Sequence, residues 1–168
     1  MVHKPLKTNN MKKVLVVIAF LLGGMLCMNA QGTFRIGAHL GLPTGDTSDF
    51  SNFTYGLDGS YLWPIDDMFS AGVATGYSSY SGKDDYDNYS FIPIAATGRA
   101  DFAETFFGAL DLGYAIATSD NGDGGFYYQP KVGWSDGKVD VFIFYQGISV
   151  KDASFDVTAF GVGGAFKL

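Results

Sequence analysis

Residues 89–117 read YSFIPIAATGRADF, AET, FFGALDLGYAIA, and the order of these letters decides the fold. From Tyr89 to Phe102, the residues Ile92, Ile94, Ala96, Ala100 and Phe102 fall on alternate positions. Thr97, Arg99 and Asp101 occupy positions between them. From Phe106 to Ala117, the residues Phe106, Leu110, Leu112, Tyr114 and Ile116 share one parity, and Phe107, Ala109, Asp111 and Gly113 share the other. A period of two is that of a β-strand, whose side chains point alternately to opposite faces. Ala103-Glu104-Thr105 between the segments is short enough for a hairpin. Two antiparallel strands are therefore predicted, each with an apolar face and a face that carries charges in mid-strand.

The same pattern recurs in both directions along the chain. Strands are predicted over Thr33–Leu42, Phe53–Trp63 and Met68–Ser78 before this pair, and over Phe126–Trp134, Val139–Gln146 and Asp156–Leu168 after it. The connections alternate in length. Pro43–Asn52, Ser79–Asn88, Thr118–Gly125 and Gly147–Phe155 are long; Pro64–Asp67, Ala103–Thr105 and Ser135–Lys138 are short. Asp136-Gly137 is a strong hairpin signal. No helical periodicity follows residue 30.

The sign of the pattern matters more than its length. One face is almost entirely Phe, Tyr, Leu, Ile, Val and Ala; the other collects Arg35, His39, Asp58, Arg99, Asp101, Asp111, Lys131, Asp140 and Lys167 among many glycines. A soluble barrel buries its apolar face. Here mid-strand charges fit only an interior, because an Arg or Lys facing lipid at mid-membrane costs about 2–4 kcal/mol. The reading is all-β: an eight-stranded antiparallel up-and-down transmembrane β-barrel. Its bore is just wide enough for side chains to fill. Four cations (Arg35, Arg99, Lys131, Lys167) and four anions (Asp58, Asp101, Asp111, Asp140) allow neutral pairing, which buried charges require. These residues read as a structural lumen network rather than as catalytic, cofactor or metal groups. Aromatic residues gather near the strand ends. Trp63, Phe69, Trp134 and Phe166 lie toward the short turns, and Tyr55, Tyr77 and Tyr128 toward the long loops, as two membrane-interface girdles would.

The chain's start and composition narrow the setting. Met11-Lys12-Lys13 precedes an apolar run from Val14 to Met28, then Asn29-Ala30-Gln31. A basic start, a short apolar core and a small residue describe a secretory signal peptide over residues 1–30, cut after Ala30, with the barrel domain over 31–168. Residues 1–10 are either an extended basic region or an upstream start extension. Cys27, the single cysteine, falls in that leader, so the remainder has no disulfide or thiol chemistry. All 17 acidic residues but only seven of the eleven basic ones lie after residue 30, which gives the remainder a net charge of −10. That balance disfavours nucleic acid as a partner. A chain 47% hydrophobic and 16% aromatic is also far too apolar for an acidic disordered one.

With these features in place, Gln31 to Leu168 resembles the small outer-membrane β-barrel family of Gram-negative bacteria, the OmpA-, OmpX- and OmpW-like barrels. The features that carry the resemblance are the leader and the final strand, with alternating apolar residues up to Phe166 and Leu168. Phe91-Ile92-Pro93-Ile94 and Gln129-Pro130-Lys131-Val132-Gly133-Trp134 add to it. Family members usually end in Phe; Leu168 departs from that. The resemblance implies an outer-membrane, porin-like location and a structural or surface-interaction role without catalysis or cofactors. Its implied partners are the bilayer, lipopolysaccharide and the outer-membrane assembly machinery, which reads the last strand, with the protein a monomer. The alternative is a narrow pore or hydrophobic-ligand conduit of the OmpW kind. Two other readings are weaker. His39, the only histidine after the leader, has Ser48, Asp49 and Ser51 near it in sequence, which reads as chance adjacency rather than an acyltransferase site. Asp120-Asn121-Gly122-Asp123-Gly124 has hard oxygen ligands but lacks EF-hand spacing and reads as a solvated turn, not a metal site.

Overall fold

The computed structural model describes residues 32–83, 87–118, 124–150 and 156–168. The expected signal peptide and the Asp120–Asp123 stretch lie outside the described residues. Within them the chain forms β1 (Thr33–Thr44), a single-turn helix α1 (Thr47–Phe50), β2 (Ser51–Pro64), β3 (Phe69–Gly82) and β4 (Tyr89–Phe102). There follow β5 (Phe106–Ala117), β6 (Gly125–Ser135), β7 (Val139–Val150) and β8 (Val157–Lys167). Each strand pairs antiparallel with the next, and β8 returns to β1, so the sheet is a closed eight-stranded barrel.

The register fixes the geometry. Phe34 pairs with Tyr61, Tyr61 with Val73, Val73 with Ala96, and Ala96 with Leu112. Leu112 then pairs with Tyr128, Tyr128 with Gly147, Gly147 with Thr158, and Thr158 with Thr44. One circuit thus begins at Phe34 and ends ten residues further along β1. Such a stagger goes with strands tilted about 35–45° to the barrel axis.

The apolar parity faces outward on every strand. Leu40 is 61% exposed, Leu57 62% and Ile94 58%, whereas inward His39 and Arg99 are 3% and 5% exposed. A soluble barrel has the opposite arrangement. The phase also holds on β7, where inward Phe142 and Phe144 are buried among charges while Val141 and Ile143 are exposed.

The strands outrun the sequence expectation at the long-loop rim. The first connection, expected over Pro43–Asn52, shrinks because β1 reaches Thr44, α1 follows and β2 starts at Ser51. β3 continues past Ser78 to Gly82, and β7 past Gln146 to Val150. The cause lies inside. Tyr80 and Ile148, beyond the expected ends, point inward and join Phe91, Tyr127, Val157 and Ala159 in an apolar cluster. That burial holds the extra residues in the sheet. α1 is fastened over the rim by fully buried Thr47, whose hydroxyl donates to the Asp156 carbonyl and accepts from the Thr158 N–H.

The short turns are local devices. Ala103 and Glu104 both adopt left-handed backbone, with φ of 54° and 55°. A left-handed L-residue costs about 1–2 kcal/mol, a penalty glycine escapes. Glu104→Gly should therefore raise stability by about 1 kcal/mol, as read by denaturant unfolding in lipid vesicles. In the β6–β7 turn, Asp136 Oδ1 accepts from the N–H groups of Lys138 and Val139 at 2.8 and 2.7 Å. Those bonds hold its carboxyl below the ordinary carboxylate range. Because the folded value is the lower one, this contribution is fully present above the unfolded pKa of about 3.9 and fades as pH falls through the folded value. The stability gap between wild type and Asp136→Ala should shrink in acid; a gap that widens would contradict the assignment.

Candidate functional site

The bore carries the groups with chemistry in them. Toward its short-turn end Asp140 on β7 meets two guanidinium groups. Arg35 Nη1 from β1 donates to Asp140 Oδ2 at 2.9 Å, and Arg99 Nη1 from β4 donates to the same oxygen at 2.7 Å. Arg99 also grips Asp101 through Nε, at 2.9 and 3.1 Å, and lies over the Phe107 ring with Cζ 3.8 Å from its centroid. Lys131 Nζ pairs with Asp111 at 2.6 Å. β4 and β7 are not neighbours in the ring, so the Arg99–Asp140 contact bridges the lumen itself.

Asp58 takes a different partner. His39 Nδ1 lies 2.7 Å from Asp58 Oδ2, while His39 Nε2 lies 3.3 Å from Ser78 Oγ. Ser78 Oγ in turn lies 3.3 Å from Gln146 Nε2. The imidazole meets the Phe144 ring edge-on, with centroids 5.1 Å apart. Room for it comes from β2: a Cβ at Gly56 would stand 2.5 Å from His39 Cε1.

Two further features shape this interior. A cavity of about 50 Å³ lies among Arg35, Asp58, Thr97, Arg99, Asp111 and Lys131. Asp111 Oδ1, Asp140 Oδ1 and Arg35 Nε are buried without a hydrogen-bond partner from the protein. A polar space of this size accommodates a few waters, the ordinary way such atoms are satisfied. Toward the long-loop rim, Tyr80, Phe91, Tyr127 and Ile148 fill the bore with apolar side chains.

The residues singled out from sequence do not all converge. Arg35, Arg99 and Asp140 form one cluster with Asp101 at its edge; Lys131 and Asp111 form a pair; His39 and Asp58 form another. Lys167 is a correction to the expected four-and-four pairing: it is exposed at the short-turn rim and forms no ion pair among the described residues. It is the last strand residue, where the bore opens. Ser48, Asp49 and Ser51 stay away from the imidazole. Ser48 donates to the Gly45 carbonyl, Ser51 to the Ser81 carbonyl, and Asp49 is exposed. The serine that does reach His39 is Ser78, with Gln146 behind it. Their inward parity was readable; their meeting across the bore depends on the stagger.

Of the aromatic positions near the strand ends, Tyr55, Tyr77, Trp134 and Phe166 are exposed, and Trp63 and Tyr128 are half-buried. Trp63 stacks edge-on with Tyr61 at 4.8 Å, and Tyr128 lies 6.2 Å from Tyr145. Two apolar hollows dent the outer wall where small residues face out. One, of about 780 Å³, has Ala38 and Gly164 among its lining; the other, of about 720 Å³, has Gly98 and Gly108.

No family model and no curated protein matches the chain. Solved structures do. Ail, the attachment invasion locus protein of Yersinia pestis, is 13% identical over 84% of this chain and 100% of its own, with a TM-score of 0.56. The N-terminal β-barrel domain of Pseudomonas aeruginosa OprF is 14% identical over 82% of this chain and 100% of its own, with a TM-score of 0.50. A de novo designed transmembrane β-barrel is 13% identical over 81% of this chain and 95% of its own, with a TM-score of 0.52. At these identities the likeness is one of fold: this chain has the architecture of the small eight-stranded transmembrane barrels.

Proposed function

We propose that the protein is a bacterial outer-membrane β-barrel with a structural or surface-interaction role, its lumen plugged by paired charges. One observation carries the reading: the apolar parity of all eight strands faces out while charges from β1, β2, β4, β5, β6 and β7 are paired inside. In water such a wall would be an aggregation surface far beyond the few hundred Å² that soluble monomers tolerate. In a bilayer it is solvated by acyl chains, and closure leaves no unpaired backbone edge in the hydrocarbon. The likeness to Ail, to the OprF barrel and to a designed transmembrane barrel supports the same placement.

Export through a cleaved signal peptide, insertion by the outer-membrane assembly machinery and monomeric contact with lipopolysaccharide and phospholipid complete the proposal. The long-loop rim then faces the cell exterior. Ail has been determined with the heparin analogue sucrose octasulfate. The described long-loop positions here include Asp46, Asp49, Asp87 and Asp156 against Lys83. An acidic rim repels a sulfated polyanion, so a neutral or cationic partner suits this chain better.

What supports a plug over a conduit of the OmpW kind is the double obstruction: the Arg35–Asp140–Arg99 bridge across the bore and the apolar cluster beyond it. No substrate path is needed for a structural role. Fractionation of cells should recover the folded protein in the outer envelope, and the unheated protein should migrate differently on gel electrophoresis from the boiled one. Recovery in the soluble fraction would overturn the membrane reading. In planar bilayers the wild type should give no steady conductance; a steady open channel would favour the conduit. Asp140→Asn should cost about 3–5 kcal/mol, since it strips two buried guanidinium groups of their shared anion. Asp101→Asn should cost about 0–1 kcal/mol, because that carboxylate is 46% exposed. Equal costs in urea unfolding from vesicles would contradict the bridge as the keystone of the plug.

A further inference from the structure

Three of the lumen's ion-pairing cations are Arg or Lys; the fourth pair rests on an imidazole. That imidazole belongs to an unbroken line of four side chains. Asp58 on β2 touches His39 on β1, His39 touches Ser78 on β3, and Ser78 touches Gln146 on β7. His39, Ser78 and Gln146 are buried, and Gln146 Oε1 has no hydrogen-bond partner. An unpartnered amide oxygen at the closed end of such a line is a costly feature that calls for a use.

We propose that Asp58–His39–Ser78–Gln146 is a proton-responsive relay, in which the hydrogen bonds beyond His39 reverse direction when the imidazole gains or loses one proton. The donor and acceptor inventory leaves little choice. An ionised Asp58 only accepts, so Nδ1 carries hydrogen in both states. With Nε2 bare, Ser78 donates its hydroxyl to Nε2 and accepts from the Gln146 amide N–H. The Gln146 Nε2 to Ser78 Oγ bond and the stranded Oε1 match this state. With Nε2 protonated, the ring must donate to Ser78 Oγ, and the hydroxyl hydrogen must find another acceptor. Rotating the Gln146 amide by half a turn presents Oε1 to it. Amide oxygen and nitrogen are close to the same size, so this rotation needs no repacking of the walls. One proton enters from solvent, no covalent bond other than N–H changes, and the charge of the layer rises by one.

The surroundings isolate the device. From β8 the imidazole faces Gly163 in register, from β2 Gly56 and Asp58, from β3 Ser78, and from β7 Phe144, with Gln146 beyond Ser78. Lys131 acts on Asp58 only through space and is itself held by Asp111. Arg35, Arg99, Asp111 and Asp140 share the neighbouring cavity with Asp58. Because the line ties β1, β2, β3 and β7 together, its proton state reaches across the barrel. The inference goes beyond the structural role and does not depend on which partner the loops meet.

The test is NMR of the full folded barrel in detergent micelles, with ¹⁵N in the His39 ring and the Gln146 side-chain amide, titrated from about pH 5 to 8. The Gln146 amide signals should shift with the same midpoint as the His39 ring nitrogens. In Ser78→Ala, with the backbone spectrum unchanged, His39 should still titrate while the Gln146 signals stay still. In His39→Gln the Gln146 signals should be independent of pH. The proposal is overturned by a Gln146 amide that ignores His39 in the wild type, by coupling that survives intact in Ser78→Ala, or by an imidazole that keeps one proton state across the window.

Discussion

Ring closure is the constraint on which the rest depends. β1 pairs with β8 from Arg35–Lys167 through Thr44–Thr158, so the sheet has no edge. In hydrocarbon each unpaired N–H or C=O would cost several kcal/mol, and closure removes that cost for the whole wall. Closing with a ten-residue stagger also sets how wide the bore is. Inward residues then meet partners that strand adjacency alone would not predict. Arg99 of β4 reaches Asp140 of β7 only because the bore is narrower than two extended side chains.

A narrow bore must be filled, and here it is filled in two ways along its length. Toward the short turns the filling is ionic, and every carboxylate of the Arg35, Arg99 and Lys131 pairs stands against a cation. Phe107 and Phe142 separate these pairs, and Arg99 lies over the first of them. Toward the long loops the filling is apolar, from Tyr80 and Phe91 to Ile148. Ionic filling fixes which strand faces which, because an unpaired buried charge is costly. Apolar filling carries no such specificity but needs no partners and seals the end. The glycines are the negative of both. A Cβ at Gly163 would stand 2.6 Å from the Phe142 ring, and one at Gly56 would strike His39. Small residues on one wall make room for large ones from another.

Much of this was legible from sequence, for a physical reason. Alternation with period two is local, so β4 and β5 could be placed to the residue and the polarity of each face followed from Arg99 and Asp111. What was lost is what depends on the ring. Strand ends at the long-loop rim were set too early because polar Ser79 and Ser81 look like loop, whereas Tyr80 between them is fully buried. Lys167 was grouped with the lumen charges by parity, but parity does not report height along the bore. His39 was set beside Ser48, Asp49 and Ser51 by sequence distance. Its actual neighbours, Ser78 and Gln146, are 39 and 107 residues away and are brought together by the stagger.

Carboxylate, imidazole and hydroxyl in that order invite comparison with an acyl-transfer triad, and the distances from Asp58 to His39 and His39 to Ser78 do not argue against it. The volume beyond the hydroxyl does. A nucleophile needs an open position about 3 Å away for the reacting carbon, with donors aimed at the developing oxyanion. Beyond Ser78 Oγ stands Gln146 Nε2, itself fully buried, with Tyr80 next inward on the same strand and Phe91 opposite Ser78 in register. A substrate would have to displace part of the apolar seal to arrive. A proton is not a substrate-sized group and needs no such opening. The same four side chains that are too enclosed for covalent chemistry are therefore placed well for moving a charge.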